Sequence, residues 1–180
     1  EENSLFKPAG NENQALDTFR KTFGKYRSTV QPKISSVKLN LELFPESRSF
    51  LAKGEYLLVN KSSQKIDRLL IKTGYDEITQ YSIGAPSFLA ESDPAMQFAV
   101  HVLENPLLPE DSLKIWFEIK NKPNSLFYQN SSVLQNGTFL KADILPRLGY
   151  FFDRDILEPT DSTAQYLNFY SQDADLIDIE

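Results

Sequence analysis

Residues 37–44 read Val-Lys-Leu-Asn-Leu-Glu-Leu-Phe, and this stretch decides the fold class. Apolar and polar residues alternate along it, which is the period of a strand that buries one face. The polar run 45–48 then turns the chain, and a second strand-like stretch follows at 50–60. Hairpin-like connections of this kind favour antiparallel pairing.

The same pattern continues along the chain and predicts an all-β fold. Further strands are predicted at Lys65–Tyr75, Ile78–Ile83, Met96–Leu103, Leu113–Asn121 and in a short piece around Phe139. Turn-forming residues separate these stretches, as at 84–86 and 92–94, and the alternation is strict from Leu113 to Ile119. Several short strands at this spacing, with one convincing helix, are typical of an antiparallel β-sandwich.

The one predicted helix precedes the sandwich, in residues 13–27. Its apolar side chains recur three or four residues apart, at Leu16, Phe19, Phe23 and Tyr26. This spacing predicts an amphipathic helix that packs on the domain by a single stripe. Gly24 costs about 1 kcal/mol relative to Ala inside a helix, which weakens the prediction for the last turn. The chain is therefore divided into a lead-in with the helix, 1–30, and a β-sandwich domain, 31–158.

The remaining residues, 159–180, are predicted to form an acidic C-terminal linker or docking segment. The formal charge of the chain is −6, and in the last thirty residues eight acids stand against Arg154 alone. A segment this charged is normally solvated. Four residues make it too apolar for a plain solvated tail: Tyr166, Leu167, Phe169 and Tyr170.

Composition and motifs exclude several classes of function. A chain of 180 residues can hold a core without disulfides, and the absence of Cys excludes thiolate zinc sites. The net negative charge argues against a nucleic-acid partner. The lone histidine, His101, lies in an apolar strand-like run, and neither a His-Glu-x-x-His nor a Gly-x-Ser-x-Gly motif occurs. The sequence therefore predicts no catalytic, cofactor-binding or metal-binding residue.

Aromatic residues in the second half of the chain are the candidate ligand or interdomain contacts. They are Phe127, Tyr128, Tyr150, Phe151 and Phe152. Trp116 has the same chemistry but lies within a predicted strand. Aromatic side chains bury large areas, so a place in the core or in an interface is the expected one for all six. Asn60, Asn130 and Asn136 each begin a glycosylation sequon, which carries little weight without other support.

Several stretches, in the right order over residues 15–158, resemble one family. Residues 30–45 read Val-Gln-Pro-Lys-Ile-Ser-Ser-Val-Lys-Leu-Asn-Leu-Glu-Leu-Phe-Pro and continue through 48–61. Later come residues 107–113, then Asn-Gly-Thr-Phe at 136–139 with Leu-Pro-Arg-Leu-Gly-Tyr at 145–150. Together they resemble the N-terminal domain of bacterial M1-type metallopeptidases, which are aminopeptidase N-like. The nearest variety is the one fused to a multi-pass ABC-2-type transporter permease.

The resemblance implies a fold and a role. In that family the region is a saddle-like β-sandwich that abuts a thermolysin-like zinc domain and helps wall its active-site cleft. The chain would then be a non-catalytic, extracytoplasmic domain that scaffolds the adjoining peptidase domain of the same polypeptide. It would meet the membrane only through its membrane-anchored parent. Zinc is expected only in the adjoining domain, because the family's zinc and Gly-x-Met-Glu-Asn motifs do not occur here.

The alternative is a free-standing or envelope-associated β-sandwich module that binds peptide or carbohydrate. It would use the Phe127-Tyr128 pair or the aromatic run 150–152. An antiparallel sandwich hosts many functions, so the fold by itself does not decide between these two roles.

Overall fold

The computed structural model describes residues 17–74, 77–121, 133–134, 137–138, 144–150 and 176–179. The strands in chain order are β1 (Lys33–Phe44), β2 (Ser49–Val59), β3 (Ile66–Lys72), β4 (Glu77–Ile83), β5 (Ser87–Asp93), β6 (Phe98–Leu107), β7 (Ser112–Asn121), β8 (Val133–Leu134), β9 (Gly137–Thr138), β10 (Arg147–Leu148) and β11 (Leu176–Ile179).

Two sheets form the sandwich that the alternating pattern predicts. Sheet A has five strands in the order β11-β1-β2-β7-β4, and sheet B has four in the order β10-β3-β6-β5. Within sheet A the predicted hairpin is confirmed, because β1 and β2 pair in the antiparallel sense along almost their whole length. A separate pair, β8 and β9, is also antiparallel. The prediction of an all-β antiparallel sandwich is confirmed.

The main core lies between the two sheets. It contains apolar side chains from both of them, among them Tyr56, Leu58, Leu69, Ile71, Ile115 and Ile119. In β2 and β7 every second residue points into this core, which is the arrangement that period-two alternation predicts. Gly54 is required in β2, because the ring of Phe117 occupies the space that a Cβ would take.

A helical segment covers the other face of sheet B. Residues 17–23 are α-helical, and a 3-10 turn, Gly24–Tyr26, follows them. Phe19 and Phe23 are buried against Phe98, with ring centroids 5.0 and 5.1 Å from that of Phe98. The predicted amphipathic stripe is therefore present in residues 17–26, and the α-helix ends at the residue before Gly24. Residues 13–16 of the predicted helix lie outside the described residues.

Sheet B is thus the middle layer of three. Leu69 of β3 points into the main core, whereas its neighbour Leu70 packs in the cluster under the helix. A salt bridge of 2.7 Å from Lys25 to Glu91, and a hydrogen bond of 2.6 Å from the Tyr26 hydroxyl to the same carboxylate, connect the helical segment to β5. No helix in the described ranges has the length and apolarity needed to cross a bilayer.

Strand bounds differ from the sequence prediction in several places. β3 ends at Lys72 rather than at Tyr75, and β8, β10 and β11 are additional short strands. The short strand predicted around Phe139 centres on a residue that lies outside the described ranges. β5 was not predicted, because residues 87–93 place Phe88 beside Leu89 and so lack alternation; a register shift between Leu89 and Glu91 breaks the period further. β6 runs on to Leu107, past the predicted end at Leu103.

The end of the acidic segment belongs to sheet A. Residues 176–179 pair with residues 36–39 of β1 in the parallel sense. These four residues come from the segment predicted as a linker or docking segment, and they extend the domain's own sheet at the β1 edge.

Candidate functional site

The outer face of sheet A is the candidate site, since no element of the described chain covers it. The strict alternation of β7 buries Leu113, Ile115, Phe117 and Ile119, so the intervening residues point outward. Trp116 is one of these, and its side chain is 43% exposed at the centre of the face. Tryptophan is enriched at interfaces, because its ring buries a large area while its N–H group still finds a hydrogen-bond partner.

The indole ring of Trp116 is held from two sides. Its Nε1–H donates a 2.7 Å hydrogen bond to Oε2 of Glu55, the residue directly opposite on β2. On the β4 side lies Gly84, where a Cβ would stand 3.1 to 3.3 Å from the indole ring atoms and 2.9 Å from the Lys114 carbonyl oxygen. Gly84 therefore leaves room for the ring, and Glu55 fixes its orientation.

Glu55 is held in its charged form. Lys114 donates a hydrogen bond to this carboxylate, with Nζ 2.9 Å from Oε1. This bond is the largest cause, with a smaller one from Trp116, of a pKa for Glu55 below its ordinary value. The acceptor that orients the indole is therefore anionic at neutral pH.

A shallow groove runs across the strands beside Trp116. One wall is the cross-strand row Lys38, Glu55, Trp116 and Ser82, and the other is the row Asn40, Lys53, Glu118 and Gln80. Its floor is the backbone between the rows, at Gly54 and Phe117 among others. Trp116 lines both halves, which measure about 270 Å³ on the β1 side and about 510 Å³ on the β4 side. At about 4.8 Å per strand, the groove spans roughly 14 Å from β1 to β4.

The two carboxylates of the groove are each paired with lysines. Glu118 lies 2.7 Å from Lys120 and 3.7 Å from Lys53, and the hydrogen bond from Lys120 is the largest cause of its lowered pKa. Among the wall residues, two lysines face two glutamates, and the rest are an amide pair, a hydroxyl and the indole. The groove offers a stacking surface and many hydrogen-bonding groups, and its carboxylates are already paired with lysines.

The sequence-predicted contact residues are only partly within the described ranges. Tyr150 is 9% exposed and lies under the helix, where its ring stacks on Phe19 at 5.5 Å and 15°. Phe127, Tyr128, Phe151 and Phe152 lie outside the described residues. The ligand or interdomain role of these five aromatic residues stays a prediction. Trp116 shares their chemistry but is not one of the predicted contact residues, although the strict alternation of residues 113–119 indicates that its side chain points away from the buried face.

His101 lies inside the sandwich, on β6. Its Nε2 is 2.8 Å from the Tyr81 hydroxyl on β4, and the two rings meet edge to face at 5.6 Å. The contact joins sheet A to sheet B. Among the residues that the structure places, no three His, Asp or Glu side chains come together as a metal site.

Asn60, the first of the sequon residues, is buried. Its Nδ2 donates hydrogen bonds to the carbonyl oxygens of Gln64 and Leu107, at 2.7 and 2.9 Å, and its Oδ1 accepts from the Ser62 hydroxyl and backbone N–H. A glycan attaches at Nδ2. In the folded domain that nitrogen is already used to connect two turns, so Asn60 is a structural residue.

Comparison with known proteins returned matches among solved structures alone. No protein-family model matches the sequence. No curated protein matches it either. The similar solved structures are M1 zinc metallopeptidases, the family that the sequence motifs resemble.

One of these structures is a two-domain M1 zinc metallopeptidase variant bound to L-tryptophan, at 12% identity and a TM-score of 0.38. The match covers 53% of this chain and 22% of that one. Another is the M1 zinc metallopeptidase from Deinococcus radiodurans, at 12% identity and a TM-score of 0.37, with 51% of this chain and 20% of that one covered. The matched region thus spans about a fifth of these enzymes.

Proposed function

We propose that this chain is a non-catalytic, extracytoplasmic domain of a larger membrane-anchored protein that resembles the M1 metallopeptidases fused to an ABC-2-type permease. The domain scaffolds the adjoining zinc peptidase domain of the same polypeptide and partly walls its cleft. Zinc belongs to that adjoining domain, and the membrane is reached only through the parent. The motifs at 30–45 and 145–150 support this assignment, since the second resembles the stretch that precedes the catalytic domain.

The observation that supports a scaffolding role is the apolar edge strand β5. Phe88 is 56% exposed and Leu89 is 54% exposed. Exposed edge strands usually carry charges or Pro that discourage association. β5 carries Glu91 and Asp93 toward one end, but its residues 88–90 are Phe-Leu-Ala. Of the strands that the structure describes, β6 alone pairs with β5. Burying the exposed halves of these two side chains against a second folded unit would contribute about 1.5 to 3 kcal/mol, and the peptidase domain is the unit that the resemblance supplies.

The test is a double substitution, Phe88→Asp with Leu89→Asp, made both in the isolated chain and in the parent protein. We expect the melting temperature of the parent to fall while that of the isolated chain changes little, because only the parent buries these side chains. Leu43→Asp is the matched control, since Leu43 is 40% exposed at the far end of the β1–β2 hairpin. Equal changes in parent and isolated chain would exclude β5 as the interdomain contact.

The parent itself is tested by an antibody raised against this chain and used on fractionated cells of the native source. A membrane-bound band far heavier than 20.6 kDa is expected. A soluble band of about that mass would contradict the fusion and favour the alternative, a free-standing or envelope-associated binding module. The observation that favours this alternative is the groove beside Trp116.

A further inference from the structure

We infer that the groove beside Trp116 is a binding site for a neutral oligosaccharide. The site lies on the outer face of sheet A, whereas the proposed interdomain contact is the β5 edge of sheet B. The inference therefore stands independently of the scaffolding role, and it specifies the ligand class of the alternative function.

The stacking surface is the exposed face of the Trp116 indole. The face of an aromatic ring carries partial negative charge and attracts the weakly positive C–H groups of an apolar ligand face. A pyranose ring has such a face of C–H groups, with its hydroxyl groups at the periphery. The ring is also oriented before any ligand arrives, because Glu55 holds Nε1 and Gly84 leaves it room. A preorganised surface loses less entropy on binding.

The floor of the groove disfavours an extended peptide. Peptides that add to a sheet do so at an edge, through free backbone groups. Here the floor is formed mainly by β2 and β7, each of which is paired on both sides within sheet A. Recognition must therefore come from side chains, and the walls supply the amides of Asn40 and Gln80 and the hydroxyl of Ser82. These groups both donate and accept hydrogen bonds, as sugar hydroxyls do.

The charge of the groove disfavours an ionic ligand. Glu55 is paired with Lys114, and Glu118 is paired with Lys120 and Lys53, so each carboxylate already has a cationic partner. A charged ligand would have to compete with these existing pairs and would leave one partner unpaired. A ligand with no net charge can accept and donate hydrogen bonds within the groove and leave the glutamate–lysine pairs intact.

The test uses the intrinsic fluorescence of Trp116, the single tryptophan of the chain. The intact chain is titrated with cello-, xylo-, manno-, malto- and chitohexaose and, as the anionic comparison, with oligogalacturonate. At least one of the five hexaoses is expected to shift the emission to the blue, saturably, and to protect the indole from acrylamide quenching. Calorimetry on Trp116→Ala should then show affinity weakened by about tenfold or more, as for an aromatic residue at the centre of a binding surface. Trp116→Phe should recover part of the affinity.

The control variant is Phe88→Ala, which removes an exposed aromatic residue from the other sheet and should leave saccharide affinity unchanged. Thermal melts of both variants show whether any loss reflects unfolding. The inference is overturned if none of the five saccharides gives a saturable response, if Phe88→Ala weakens binding as much as Trp116→Ala, or if only an anionic saccharide such as oligogalacturonate binds. None of these outcomes affects the β5 test in the parent protein.

Discussion

A hydrogen bond joins the two sheets between Tyr81 of β4 and His101 of β6. Burial lowers the pKa of His101 and raises the pKa of Tyr81, so both are neutral at neutral pH. A neutral imidazole is favoured at this position, because burial in a poorly solvating interior disfavours the charged imidazolium. The lone histidine is therefore placed by packing between the sheets, in agreement with its position in an apolar run of the sequence.

This histidine gives the stability of the domain a specific pH dependence. Since the pKa of His101 is lower in the folded state than its ordinary 6.5, the unfolded chain binds the proton more readily. Stability is then fully present above pH 6.5 and is lost as the pH falls toward the folded-state pKa. Urea unfolding of the wild type and His101→Gln at a series of pH values measures this.

The carboxylates set the lower limit of the pH range in which this effect of His101 can be measured. The pKa values of Glu55, Glu91 and Glu118 are all lowered from 4.5, so their own contribution is lost only at more acidic pH. Between pH 6.5 and 5 the slope should therefore be smaller in His101→Gln than in the wild type. Identical slopes would mean that His101 titrates in the folded domain as it does in the unfolded chain.

At the scale of one element, β7 shows how much a sequence pattern can predict. Its strict alternation indicated a strand with one buried face, and the structure buries Leu113, Ile115, Phe117 and Ile119. The same alternation placed Trp116 on the opposite face. The sequence alone therefore indicates that the Trp116 side chain is exposed on the outer face of the strand. The groove as a whole could not have been predicted in this way, because its two walls form only when four strands pair in one particular register.

The two phases of β7 predict opposite responses to truncation. Ile115→Ala should lower the free energy of unfolding by about 2 to 5 kcal/mol, because it leaves a cavity between the sheets. Trp116→Ala should cost less than about 1 kcal/mol, since it removes a half-exposed ring and one surface hydrogen bond. Denaturant midpoints of the two variants give the comparison directly. A change below about half a kcal/mol in Ile115→Ala would show that the assignment of faces is wrong.

Other elements depend on partners that no local pattern shows. β10 has two residues and exists because Arg147 and Leu148 pair with β3. The side chain of Gln31 binds the backbone of β3. It donates a 3.0 Å hydrogen bond to the Arg68 carbonyl oxygen and accepts a 2.8 Å hydrogen bond from the Leu70 N–H. Such contacts join residues far apart in the chain, so propensity and periodicity cannot indicate them.

At the scale of the whole molecule, the third layer distinguishes this domain from a plain two-sheet sandwich. The amphipathic stripe predicted that a helix packs on the domain but not which face it covers. One feature of the sequence does agree with the result: β3 contains the continuous apolar run Leu69-Leu70-Ile71. Strands buried on both faces have such runs, whereas strands with one solvated face alternate. β3 is buried on both faces because the main core lies on one side and the helical segment on the other.

The shared middle layer predicts that the helical segment and the sandwich unfold together. Phe19 fills the cluster under the helix, against Phe23, Phe98 and Tyr150. Phe19→Ala should cost about 3 to 5 kcal/mol.

Because Leu69 and Leu70 connect the two cores through one strand, that loss should reach Trp116 on the far side of sheet A. Thermal transitions followed by far-UV circular dichroism and by Trp116 fluorescence should therefore shift by the same amount, as in a two-state domain. Phe88→Ala, at an exposed site of sheet B, should shift neither. If Phe19→Ala instead separated the two transitions, with the fluorescence midpoint unchanged, the helical segment would be an independent unit and the middle layer would not couple the cores.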